Sequence, residues 1–147
     1  MAAGAFQAYE KGLQAMLEQN ADFEGATIKA ALLVTAHTVD VVNDEFLSDV
    51  SADECADGDY ARQTLTTCAI TQSAGSVVFD CDNIDFGDTA SISARYLVFF
   101  VDTGTPTTSH LLFICDLNTG GGNLTSVSGD FDITINDNGI YAIDVNP

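Results

Sequence analysis

Few side chains in this sequence have the type and spacing to do chemistry. His37 and His110 stand far apart, and neither lies in a spacing used to bind a metal or to serve a nucleophile. Ser109 precedes His110 without the strand–turn–helix setting of a nucleophile elbow. Gly120-Gly121-Gly122 has no following Lys-Ser/Thr, so it does not form a phosphate loop. Carboxylates are plentiful: Asp80, Asp82, Asp85 and Asp88 fall in one short stretch, and Asp130, Asp132 and Asp137 in another. Calcium takes roughly six to eight oxygens, which Asp-rich loops can supply. No Asp-x-Asp-x-Asp-Gly loop with a distal Glu is present, and turn and solvation roles account for these residues as well. The expectation is no resident cofactor, no metal site and no catalytic set.

The sharpest catalytic candidate is Phe99-Phe100-Val101-Asp102-Thr103-Gly104. An apolar strand running into Asp-Thr-Gly resembles the catalytic loop of aspartic proteases. There, two carboxylates share one proton because adjacent like charges push their pKa values apart. With one such motif, a homodimer would have to bring two copies of Asp102 together. Thr105-Pro106-Thr107 departs from the Ala or Ser that usually follows in the retroviral enzymes, and their later apolar-apolar-Gly segment has no match. A strand end followed by a Gly/Pro turn explains the same residues locally.

Cys55, Cys68, Cys81 and Cys115 include no Cys-x-x-Cys pair, so zinc is not expected. Cys68 beside Thr66 and Ile70, Cys81 beside Phe79, and Cys115 beside Phe113 lie on apolar strand faces. They read first as buried thiols acting as small hydrophobes. Disulfides are the competing reading. Four cysteines allow three complete connectivities, and Cys81–Cys115 is the pair to test first.

The elements that must position these residues follow from periodicity. Phe6, Tyr9, Leu13, Met16 and Leu17 recur at helical steps and predict a helix over 5–20. The Phe6, Tyr9, Leu13 and Leu17 face either covers the molecule's own core or packs on another subunit. Thr27 to Ala36 reads as a buried strand, and Asp40 to Val50 as a short helix with Asp40 at its N-cap. Ser51 to Asp59 is an acidic loop. Beyond residue 60 the period becomes two, over Thr64–Ile70, Val77–Cys81, Ser91–Asp102, Ser109–Asp116, Asp130–Ile135 and Ile140–Val145. Asp137-Asn138-Gly139 is a hairpin-type signal. The fold expected is mainly β: an antiparallel β-sandwich or small barrel, jelly-roll-like, with an N-terminal helix and one short helix. It forms one domain over 1–147, with a β-rich body from 27 to 147.

Composition sets further bounds. Of 147 residues, 46% are hydrophobic and 18% charged, which excludes a disordered tail. Lys11, Lys29, Arg62 and Arg95 face 22 carboxylates, for a formal charge of −18. Such a surface repels nucleic acid and anionic membranes, so neither is expected as a partner. The longest apolar runs are far short of the about 20 residues that span a bilayer. The opening residues lack the basic and apolar segments of a secretory signal. A soluble chain made in a cytoplasm is expected, and Asn123-Leu124-Thr125 then matches a glycosylation sequon by chance.

Read end to end, the chain resembles a family of small virion proteins of tailed bacteriophages and prophages. The matching segments are Thr27-Ile28-Lys29-Ala30-Ala31-Leu32-Leu33, Phe46-Leu47-Ser48-Asp49-Val50, and Gly58-Asp59-Tyr60-Ala61-Arg62 before Thr64-Leu65. Val78-Phe79-Asp80, Asn83-Ile84-Asp85-Phe86 and Ala94-Arg95-Tyr96 follow, then Asp102-Thr103-Gly104-Thr105, Leu111 to Leu117, and Gly129-Asp130-Phe131 through Gly139-Ile140. The ordered set covers roughly residues 5–145. The four cysteines and the longer N-terminal helix depart from the pattern. The resemblance implies a head decoration (cement) protein, assembled in the host cytoplasm. It would sit on the capsid surface of the virion and stabilise the coat lattice. Its implied partners are the major capsid protein and further copies of itself, a trimer favoured. No catalytic residue carries over, and Asp102-Thr103-Gly104 becomes a scaffold turn. The alternatives are a tail, neck or fibre-associated component and, more remotely, a homodimeric aspartic protease using Asp102.

Overall fold

The computed structural model describes residues 1–145. In chain order the elements are β1 (Phe6–Ala8), α1 (Glu10–Leu17), β2 (Ile28–Leu33), α2 (Leu47–Val50), β3 (Gln63–Thr64), β4 (Ala69–Ser73) and β5 (Ser76–Asp80). Then come β6 (Ile84–Asp85), β7 (Ser93–Ala94), β8 (Tyr96–Val101), β9 (Leu111–Asp116), β10 (Leu124–Thr125), β11 (Asp132–Ile133) and β12 (Tyr141–Asp144). The central sheet runs β1-β9-β8-β2-β3 and is antiparallel throughout. A three-stranded sheet, β12-β5-β4, and two short ribbons, β10-β7 and β11-β6, complete the β structure. The result is a mainly-β, sandwich-like fold. The small-barrel alternative does not form, because β1 and β3 remain the two ends of an open sheet.

β8 and β9 are almost continuously apolar because the central sheet is covered on both faces. Ile28, Ala30, Leu32, Leu97, Phe99, Val101, Phe113 and Cys115 point to one side, where Phe79, Ile84, Phe86, Phe131 and Ile133 meet them. Phe113 lies at the centre, 5.4 Å from both the Phe79 and Tyr141 rings, so the smaller sheet packs directly on β9. Ala31, Leu33, Tyr96, Val98, Phe100, Leu111 and Ile114 point the other way, under Tyr9, Leu47, Val50, Val39 and Val41.

Three elements differ from the sequence reading. Phe6 does not start a helix: Phe6–Ala8 pairs with β9, Phe6 opposite Cys115, and α1 begins only after Tyr9. The buried positions of α1 are Gly12 and Ala15. A Cβ added at Gly12 would overlap the Leu111 carbonyl oxygen and stand 2.9 Å from its carbon, so only glycine lets α1 lie this close to β9.

The 40–50 helix shrinks to four residues. The Asp40 carboxylate accepts N–H bonds from Val42 and Asn43 as an N-cap would, but the chain turns instead of continuing. Leu111 N–H donates to the Glu45 carbonyl, tying this segment to β9 in place of helix propagation.

Asp137-Asn138-Gly139 does form a turn, with Gly139 N–H donating to the Asn136 carbonyl. It joins strands of different sheets, since β11 pairs with β6 and β12 with β5. The two-residue hairpin is instead Ser73-Ala74-Gly75-Ser76, with φ 41° and 95° at its central residues, the signature of a type I′ turn.

Candidate functional site

Asp102 lies at the end of β8, and its carboxylate is occupied by its own fold. Lys29 Nζ on β2 is 2.6 Å from one oxygen, and Gly104 N–H donates to the other at 3.0 Å. The lysine contact first, then the Gly104 bond, hold this carboxyl below the usual carboxylate range. Thr103 Oγ1 sits within hydrogen-bond distance of Thr108 and Ser109 hydroxyls, and Ser109 Oγ donates to the Thr105 carbonyl, closing a compact polar turn. The arrangement suits a structural corner. A proton-sharing dyad would first have to displace Lys29.

Lys29 is one of four cations, and every one is engaged within the molecule. Lys11 lies 3.5 Å from Glu45, Arg62 is bidentate on Glu54 at 2.8 and 2.7 Å, and Arg95 is bidentate on Asp116 at 3.1 and 2.8 Å. Arg62 also stacks 5.4 Å from the Phe100 ring centre, and Arg95 4.9 Å from that of Tyr96. Tyr60 completes the Glu54 site: its hydroxyl donates to Glu54 at 2.7 Å and accepts the Leu32 N–H at 3.1 Å, covering β2 beyond the short β3. Burial raises the Glu54 carboxyl, but Arg62 and Tyr60 outweigh it, and its pKa ends below the usual value. The remaining carboxylates have no lysine or arginine partner among the described residues, so the exterior is acidic.

The two aspartate groups of the sequence partly converge. Asp85 and Asp132 are register partners in the β6–β11 ribbon, and with Asp88 their oxygens lie within 4.8 Å of one another. Asp132 Oδ1 is buried without a hydrogen-bond partner. Burial first, then the charge of Asp85, push its carboxyl above the usual range. Two other members serve local roles: Asp80 accepts the Cys81 N–H, and Asp82 accepts the Thr66 and Thr67 hydroxyls.

His37 is buried, its Nδ1 3.0 Å from Asp53 and its ring edge-on to Tyr96. His110 packs against Phe46, with ring centres 4.7 Å apart. The glycine triplet is a local turn, whose Gly121 and Gly122 carbonyls accept from the Asn118 amide.

The apolar quartet proposed from helical spacing does not share a face. Tyr9 is fully buried, Phe6 lies on β1 with its ring 5.1 Å from Phe99, Leu13 is half-buried, and Leu17 is 73% exposed. Leu17 ends α1, and the preceding Met16 lines a groove of about 400 Å³ together with Gln19, Ala21, Asp22, Phe23 and Ile70. All four cysteines are free thiols. Cys115 lies on β9 in the central sheet, and Cys81 follows directly after β5.

Comparison of the chain with protein-family models, curated proteins and solved structures gives no match.

Proposed function

We propose that this chain is a structural component of a tailed-phage virion. Within that class, the reading is a head decoration protein that binds the outer face of the coat lattice as a homo-oligomer and braces it. The observation that carries this is the charge arrangement. All four cations are paired within the molecule, so an acidic exterior surrounds a groove of mixed polar and apolar lining between α1 and β4. Such a surface repels DNA and stays dispersed before assembly. It can dock through apolar contact or on a basic face of a coat subunit. The family resemblance supports the same reading. Its segments coincide with β2, α2, β6, β9, β11 and the turn after β8, which are frame-building elements.

Purified protein is mixed with DNA-filled, tail-less heads that lack it, and the mixture is sedimented. Co-sedimentation that saturates, and that weakens for Leu17→Glu, is the expected result. A protein that stays in the supernatant with heads, or that sediments only with tails or necks, contradicts it.

A further inference from the structure

The sequence offered three connectivities for four thiols, and the hairpin register selects a pair the spacing did not favour. β4 and β5 pair with Ala69 opposite Asp80, Ile70 opposite Phe79 and Ser73 opposite Ser76. One step outward from Ala69 and Asp80, just outside the two strands, continuing the same register sets Cys68 opposite Cys81. In a two-residue hairpin, the pair flanking the turn exchanges backbone hydrogen bonds and alternate pairs outward do the same. Pairs 73/76, 71/78 and 69/80 are therefore hydrogen-bonded, while 72/77, 70/79 and 68/81 are not.

The bonds within the ladder obey this parity, and the register breaks only beyond Cys68, where Thr67 adopts φ 54° and Asp82 N–H donates to the Thr66 carbonyl instead of that of Thr67. Ile70 N–H points away from β5 and donates to Glu24 at 2.7 Å, and the Phe79 carbonyl points to the other side, accepting Ile140 N–H. Cys81 N–H donates to the Asp80 side chain rather than across the ladder. A non-hydrogen-bonded pair is where opposed side chains come closest, with Cβ atoms about 4.5 Å apart, inside the reach a disulfide needs. Both cysteines face inward: Cys81 is a member of the buried core and Cys68 packs against it from a half-buried position. Cys55 has other company, with its Sγ 3.2 Å from Asp57, and Cys115 sits beside Gly4.

We propose that Cys68 and Cys81 are a cross-strand dithiol that closes to a disulfide when the protein meets a small-molecule disulfide such as oxidised glutathione. The half-buried Cys68 reacts first. Its thiolate attacks one sulfur of the small disulfide, forming a mixed disulfide and releasing one small thiolate. The Cys81 thiolate then attacks the Cys68 sulfur and expels the second. Two protein thiols are oxidised and one small disulfide is reduced; the two protons given up by the protein thiols are taken up by the two released small thiolates, which leave as thiols. Burial foremost, with Asp82 also nearby, raises the Cys68 thiol to about 11. Burial and then Cys68 itself raise Cys81 to about 12. Closure is consequently slow at neutral pH and accelerates with the thiolate fraction, about tenfold per pH unit in mildly alkaline buffer. The bond would pin the open end of the hairpin and so fix β4, the strand carrying Ile70 into the lining of the groove beside α1. The inference rests on the hairpin alone and does not depend on the virion reading.

The test treats the folded protein with oxidised glutathione, quenches in acid, and maps the peptides by mass spectrometry without reduction. A Cys68–Cys81 linked peptide is expected, with Cys55 and Cys115 alkylated only after unfolding and the link reversed by dithiothreitol. Cys68→Ser, at the less buried position, should abolish the link and leave the other thiols unchanged. Oxidation should also raise the Tm of the wild type and not that of the variant. A link between any other pair, a glutathione adduct at Cys68 that never resolves, or disulfide-bonded dimers would overturn the proposal.

Discussion

Replacing Gly12 by alanine sets helix propensity against tertiary geometry. Alanine in a helix interior is favoured over glycine by about 1 kcal/mol, so the isolated helix would gain. In the folded protein the new Cβ meets the Leu111 carbonyl, with Leu112 Cα 3.2 Å away, and both are backbone atoms of a central-sheet strand. A backbone atom cannot swing aside like a side-chain tip. Either α1 lifts from β9, loosening the buried Ala15 and Tyr9, or β9 shifts against β8. Overpacking of this kind costs about 1–3 kcal/mol, with the rigid partner placing it at the upper end, so a net loss of about 1–2 kcal/mol remains after the propensity gain. For a chain of this size that lowers Tm by about 2–8 °C. The assay is urea and thermal unfolding of the wild type, Gly12→Ala and Gly58→Ala. A Cβ at Gly58 meets nothing within 4 Å, and that variant should stay within about 0.5 kcal/mol of the wild type. A Gly12→Ala protein as stable as the wild type, or more so, would refute the close α1–β9 approach.

Asp102→Asn should remove about 1 kcal/mol or less at pH 7, because the Lys29 pair is only partly buried. The folded-state pKa of Asp102 is depressed, so its contribution exists above the ordinary carboxylate value and is lost as pH falls through the folded one. The variant should therefore show a shallower acid limb in Tm against pH, and an unchanged limb would contradict the pair. Asp132→Asn should raise Tm at pH 7 in chelator-containing buffer. Here the folded pKa is raised, so the penalty is absent in acid, where the carboxyl is protonated folded and unfolded, and full above the raised value. Equal melting of variant and wild type at pH 7 would speak against repulsion in that cluster. Sodium chloride should raise Tm as the unpaired carboxylates are screened, whereas a fall would mean that the four ion pairs dominate.

What the sequence made legible followed from burial. β2, β8 and β9 could be read because runs such as Tyr96 to Val101 and Leu111 to Cys115 are apolar enough to demand cover on both faces. Among the two-residue strands, β7 and β11 fell inside the longer runs read over Ser91–Asp102 and Asp130–Ile135, whereas β6 and β10 stayed hidden, since two residues carry no period. Gly12 and Ala15 concealed the packing face of α1, because close approach selects small residues that contribute little to an apolar pattern. Asp40 illustrates a real degeneracy: an Asx-turn and a helix N-cap use the same carboxylate-to-N–H bonds, and the segment's tie to β9 decides between them. Of the candidate sites, the Asp102 turn was readable from its Gly and Pro neighbours, but its Lys29 partner lies 73 positions earlier in the chain and is found only through the β2–β8 register. Cys68–Cys81 was hidden for a related reason. Thr67, at φ 54°, interrupts the alternation just where the pairing would have been counted.

The proposed virion role is tested most directly by quantitative mass spectrometry of phage particles purified from the source that carries this gene, with the coat protein as internal standard. A virion-bracing protein is expected at a copy number comparable with that of the coat subunit, retained on heads separated from tails. Its absence from intact particles, or a handful of copies confined to the tail, would contradict that role.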